Sequence, residues 1–120
     1  MKSYTNLEQS KKLAEILPIE SADMFYRDNG IDVKLMWEHN AQKVTTPCWS
    51  LAALLNVIPQ EIFDGEYILN ITEGCDNRWV LTYDGYEDRT KSYYGLSSGA
   101  DNLVDACVAM IEKLNKLQIL

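Results

Sequence analysis

The chain reads as an α+β domain because its hydrophobic pattern changes period along its length. Apolar residues recur at helical spacing at both ends and in the middle, while two intervening stretches alternate with a period of two. An Asn-Gly pair, Asn29-Gly30, sits between the alternating residues of the first stretch, and the second is cut by Gly74-Cys75-Asp76-Asn77. At 120 residues there is room for one core, so residues 1–120 are expected to form a single globular domain. The predicted order is α-β-β-α-β-β-β-α, with an antiparallel sheet built from hairpins and packed against three helices.

Thr5-Asn6-Leu7-Glu8 has capping-box spacing, and Leu7, Leu13, Ala14, Ile16 and Leu17 follow on one face until Pro18, which predicts a helix from Asn6 to Leu17. A two-residue turn at Asn29-Gly30 then pairs Arg27 with Asp32 and Phe25 with Lys34 on one face. Tyr26 with Val33 and Met24 with Leu35 form the other face, predicted to be the apolar one.

Thr45-Thr46-Pro47 supplies a capping hydroxyl and a proline at the first helical position, so a second helix is expected from Pro47 to Val57. It is apolar on nearly every side and is predicted to be the most buried element. Tyr67, Leu69 and Ile71 before the glycine turn, and Trp79, Leu81 and Tyr83 after it, predict a second hairpin. Lys91 to Leu96 returns as a third strand, broken by Ser97-Ser98-Gly99. The last helix, Ala100 to Leu117, capped by Ser98 or Asp101, places Leu103, Cys107, Met110, Leu114 and Leu117 on one stripe, beside Val104 and Ile111.

Composition narrows function. Eighteen acids against eleven bases give a net charge of −7, which opposes a nucleic-acid or anionic-membrane target. Cys48, Cys75 and Cys107 are odd in number and lack metal-ligand spacing, pointing to a reducing cytoplasm. The first twenty residues carry scattered charges and no unbroken apolar run, so neither a signal nor a transit peptide is expected. The apolar run from Trp49 to Ile58 is half of what a membrane span needs. His39 is the only histidine, and no nucleotide, hydrolase, zinc-protease or EF-hand pattern is present, so no cofactor and no metal are expected. Oligomeric state is left open by the sequence.

Three function classes remain. Residues 61–100 hold eight acids against three bases, and therefore five of the seven net negative charges. Trp79, Tyr83, Tyr86, Tyr93 and Tyr94 fall in the same stretch, offering a stacking platform in principle. The leading expectation is thus a non-enzymatic protein-interaction or inhibitory module facing a basic protein through Tyr83, Asp84, Tyr86, Glu87 and Asp88. The second class is a thiol enzyme. Cys48 in a first helical turn would meet unpaired amides and the positive dipole end, which lower a thiol pKa. Pro47-Cys48-Trp49 is similar to the Cys-Trp that opens the nucleophile helix of papain-like proteases, but the flanking glycine and serine are missing, and His39 lies upstream rather than downstream. A small-molecule binder with a pocket beside Trp49 or Trp79 is the third.

YTNLEQSKKLAEILPIESADM, TPCWSLAALLNVIP and NLVDACVAMIEKLNKL together resemble a family of small acidic uncharacterised proteins of gut anaerobic bacteria, their phages and mobile elements. That resemblance implies a cytoplasmic bacterial or phage protein with an accessory role, and brings no functional residues with it.

Overall fold

The computed structural model describes residues 2–27, 30–33, 46–74, 76–88 and 92–120, with the side chains of Arg27, of residues 30–33 and of residues 92–95 left aside. Helix α1 (Leu7–Ala14) is followed by a single 3-10 turn (Ile19–Ser21) and strands β1 (Met24–Arg27), β2 (Gly30–Val33) and β3 (Thr46–Cys48). Then come α2 (Leu51–Val57), β4 (Glu61–Ile62), β5 (Tyr67–Glu73), β6 (Trp79–Gly85), β7 (Ser92–Ala100) and α3 (Leu103–Lys116). The α+β class holds, and two short strands, β3 and β4, join the predicted order. The strands form two antiparallel sheets, β2-β1-β3 and β4-β5-β6-β7.

Each helix starts where a side chain satisfies its free amides. Asn6, not Thr5, caps α1: its Oδ1 accepts from Gln9 N at 2.8 Å while Gln9 Oε1 accepts from Asn6 N at 3.1 Å. Ser50 caps α2 by accepting from Ala53 N, and the Asp23 carboxylate accepts in turn from Ser50 N and the Ser50 hydroxyl. The second helix therefore begins four residues later than expected. Pro47 lies instead on β3, an edge strand, where a missing N–H is tolerated. Asn102, rather than Ser98 or Asp101, caps α3, and Ser98 belongs to β7, which runs through the expected break.

The first hairpin closes two residues from the expected register: Arg27 pairs with Gly30 and Met24 with Val33. An even displacement keeps each side chain on its face, yet Phe25, not its neighbour Tyr26, is the buried residue. The Arg27–Asp32 ion pair and everything expected of residues 34–45, His39 included, lie outside the described side chains. The second hairpin forms as expected, with partners running from Tyr67 with Gly85 to Glu73 with Trp79.

The core lies between the four-stranded sheet and α3, which buries Val104, Ala106, Cys107, Val108, Met110, Ile111 and Leu114. This helix, not α2, is the most buried: α2 buries only Ala53 and Leu54, and exposes Ala52 and Asn56. Residues 3–5 run beside residues 49–51, with Thr5 N donating to Trp49 O and Leu51 N to Ser3 O, both at 3.0 Å.

Lys2 joins the N-terminal segment to α3. Its Nζ lies 2.6 Å from Asp105 Oδ1, which also accepts from Gln9 Nε2, while Asn102 Nδ2 donates to Oδ2. Burial alone would raise the Asp105 pKa, but hydrogen bonds from Lys2, Gln9 and Asn102 outweigh it and hold the carboxyl below 3.8. Its contribution is therefore present above pH 3.8 and is lost as pH falls through the folded value. Urea titrations should find Asp105→Asn about 1 kcal/mol less stable than the parent at pH 7, a small figure because the pair is half-exposed. The gap should narrow towards pH 3; a constant gap would contradict the account.

Candidate functional site

Two hairpin ends meet at one end of the four-stranded sheet. The first is the β4–β5 turn, Phe63 to Glu66, where Glu66 N donates to Phe63 O at 3.2 Å. Phe63, Asp64 and Gly65 all adopt positive φ, at 53°, 58° and 86°. Gly65 carries the largest of these without penalty, Asp64 tolerates its own, and Phe63 stores strain on the order of 1 kcal/mol. Its ring meets Tyr67 edge to face, with centroids 6.1 Å apart. An Asp-Gly pair between extended segments is the same hairpin signal as Asn29-Gly30, so Asp64-Gly65 was the available clue to β4.

The second end is where β6 gives way to Tyr86, Glu87 and Asp88. Tyr86 N donates to Glu66 O at 3.0 Å, fastening this end to the first. Between them lies a cleft of about 740 Å³ lined by five acidic residues, Glu61, Asp64, Glu66, Glu87 and Asp88, together with Tyr86. Among the described residues, neither lysine nor arginine lines it. The Glu61 carboxylate folds over Gly65, lying 3.5 Å from where a side chain there would begin. A recess of about 230 Å³ continues onto the solvent face of the sheet, past Ile68, Asn70 and Asp84.

The five residues expected to form the interaction face divide. Tyr86, Glu87 and Asp88 are exposed, Tyr86 at 71%, and line the cleft. Asp84 is half-buried beside it and accepts from Asn70 Nδ2 at 2.9 Å and Thr82 Oγ1 at 3.3 Å. Tyr83 points the other way, because β6 alternates: it is fully buried and its hydroxyl donates to Pro59 O at 2.6 Å. Burial pushes its pKa to about 12. Trp79 is half-buried against the core, so the described aromatics do not assemble into a stacking platform; the side chains of Tyr93 and Tyr94 are outside the described set. Glu61 enters from β4, and Asp64 and Glu66 from the turn after it, a hairpin that sequence reasoning passed over.

Cys48 lies in β3, not in a first helical turn, and is fully buried. Its Sγ is 3.4 Å from Thr5 O and 3.6 Å from Thr5 Oγ1. Burial raises its pKa, hydrogen bonds with Thr5, Ser10 and Tyr26 act against that, and the charge of Asp23 adds to it; the result is upward. The activation expected from a helix dipole is therefore not built here, and the surroundings are those of a packed thiol. Trp49 is equally buried, donating from Nε1 to Ser21 Oγ at 3.0 Å, and neither tryptophan lines the cleft or the recess. Among the described residues, no three His, Cys, Asp or Glu side chains are gathered to hold a metal ion, and no helix is long and apolar enough to cross a membrane.

No protein-family model matches the chain, and no curated protein or solved structure matches it.

Proposed function

We propose that the protein is a non-catalytic recognition module, working in the cytoplasm of a bacterium or carried by a mobile element, that captures a basic segment of another protein in the cleft around Tyr86. The observation that carries this reading is a cleft lined by five acidic residues from two hairpin ends around one exposed tyrosine, with no lysine or arginine among the described residues that line it. The carboxylates set up a negative potential that steers a cationic partner. Tyr86 offers its ring to a guanidinium or to the methylene stem of a lysine. An occupant held this way would have its own basic surface covered, which is how such a module regulates or inhibits. The free buried thiols of Cys48 and Cys107 accord with a reducing compartment.

Binding of a fluorescein-labelled octalysine peptide, followed by anisotropy, tests the reading. Affinity should fall steeply between 50 and 300 mM salt, and Tyr86→Ala or the pair Glu66→Gln with Glu87→Gln should weaken it about tenfold. Unchanged affinity in both variants would reject the cleft as the site.

A further inference from the structure

The outer edge of β5 is half open. Tyr86 N donates to Glu66 O and Gly74 N to Arg78 O, so the even-numbered residues of β5 turn their backbone groups towards β6. Leu69, Ile71 and Glu73 consequently turn theirs to the opposite edge. There β4 covers only the first part: Glu61 pairs with Ile68, Ile62 with Tyr67, and Gln60 O accepts from Leu69 N at 2.8 Å. Pro59, which has no N–H, is next along that strand, and the chain passes from it into the buried Ile58 at the end of α2. From Asn70 to Glu73 every residue is exposed, and no described residue bonds to the outward backbone groups of Ile71 and Glu73. Ile71, whose cross-strand partner Leu81 is fully buried, is itself 36% exposed.

We propose that this edge, Asn70 to Glu73, docks an extended basic peptide segment of a partner protein, which joins the four-stranded sheet as a further antiparallel strand in line with β4. The inference concerns a different surface from the Tyr86 cleft and does not depend on it. Main-chain hydrogen bonds to Ile71 and Glu73 supply the pairing, and alternate side chains supply the selection. In antiparallel register the partner's residue opposite Glu73 comes two before the one opposite Ile71. The first should be lysine or arginine and the second β-branched or aromatic, so the segment reads basic, any residue, apolar. Asp76, exposed in the following turn, extends the acidic end of the edge. Arg78 is directed elsewhere, its guanidinium lying over Gly99 of β7 at the other side of the sheet.

A second copy of this chain fits less well. Two-fold pairing about Ile71 would set each Glu73 opposite a Leu69 whose N–H is already taken by Gln60, and would bring together two chains of net charge −7.

A fluorescein-labelled, end-blocked nonapeptide that repeats lysine, threonine, valine, threonine, and so carries the basic, any residue, apolar pattern, is the probe. Ile71→Pro removes only an outward N–H, so the ladder to β6 and the melting temperature should persist while peptide affinity falls about tenfold; Ile71→Val should bind as the parent does. Hydrogen exchange should show the Ile71 and Glu73 amides protected on binding. Should Ile71→Pro fail to fold, a peptide N-methylated at alternate residues replaces it and should bind the parent protein about tenfold more weakly. Absence of binding, absence of amide protection, or equal affinity of Ile71→Pro or of the methylated peptide overturns the proposal. So does a dimer that sedimentation detects and Ile71→Pro abolishes. Loss of affinity in the Tyr86 and Glu66/Glu87 variants alone would leave the cleft standing without the edge, and loss in Ile71→Pro alone the reverse.

Discussion

Trp49→Ala lowers the unfolding free energy by about 3–5 kcal/mol, a large part of the roughly 5–15 kcal/mol that holds a domain of this size together. Two features of the residue set that magnitude. Its side chain is among the largest that are fully buried. Its indole N–H holds Ser21 at the end of the 3-10 turn, so truncation also removes a partner from a half-buried hydroxyl. Trp49→Phe keeps most of the volume and loses only the N–H, so it should cost about 1–2 kcal/mol. Urea denaturation followed by far-ultraviolet circular dichroism ranks the three proteins. An alanine variant within 1 kcal/mol of the parent would show that Trp49 is not a centre of the core.

Stability should collapse on the alkaline side. Burial pushes the Cys107 thiol from 9.0 to about 12, and the phenols of Tyr83 and Tyr26 from 10.0 to about 12; for Tyr26 the neighbouring Cys48 and Tyr4 act in the same direction. These groups stay neutral in the folded chain and ionise freely once it unfolds. Stability is therefore unaffected below pH 9, falls as pH rises from 9 towards 12, and levels off above that. The slope is about 1.4 kcal/mol per pH unit for each group in its window, so Cys107 alone removes up to about 4 kcal/mol. Cys107→Ala, though less stable near neutrality, should lose stability less steeply above pH 9. Parallel alkaline limbs for the two proteins would rule out Cys107 as the titrating group.

Local chemistry made the elements legible, and long-range contacts decided where they begin. Two strict alternations on either side of a glycine turn made the β5–β6 hairpin legible, with Leu81 and Tyr83 on its inner face, while its register rests on the fold. The first hairpin shows the limit of such reasoning: period-two patterns encode the face of a residue, and a displacement by two costs the pattern nothing. Helix starts failed for a related reason. Thr5, Thr46-Pro47 and Ser98 are all good capping chemistry, but Thr5 is taken up by Ser10 and Trp49, Pro47 by pairing with Phe25, and Ser98 by the carbonyl of Ala106. Ser10 and Ala106 lie within a window of neighbours, but the partners of Thr5 and Pro47 across the fold, Trp49 and Phe25, do not.

The candidate site was legible to the same extent. Charge counting found the acidic half and named Tyr86, Glu87 and Asp88, because exposure and charge go together in turns. Tyr83 was misplaced because aromatic content says nothing about which face of β6 a ring takes, although the Leu81 and Tyr83 alternation held that information. Glu61, Asp64 and Glu66 were missed because they share the cleft only through the pairing of β4 with β5 and the bond from Tyr86 to Glu66.

The fastening of residues 2–5 has a kinetic side. Thr5 waits for Trp49, 44 positions away, and Lys2 waits for Asp105, 103 positions away. Contacts of that span close large loops, whose entropy must be given up before any bond forms. During synthesis the first helix therefore leaves the ribosome long before its partners do, and is too short at eight residues to persist alone. Its ordering belongs to the last steps of folding, after α3 has emerged, so the opening segment of the chain acts as a latch that closes only on an otherwise finished molecule.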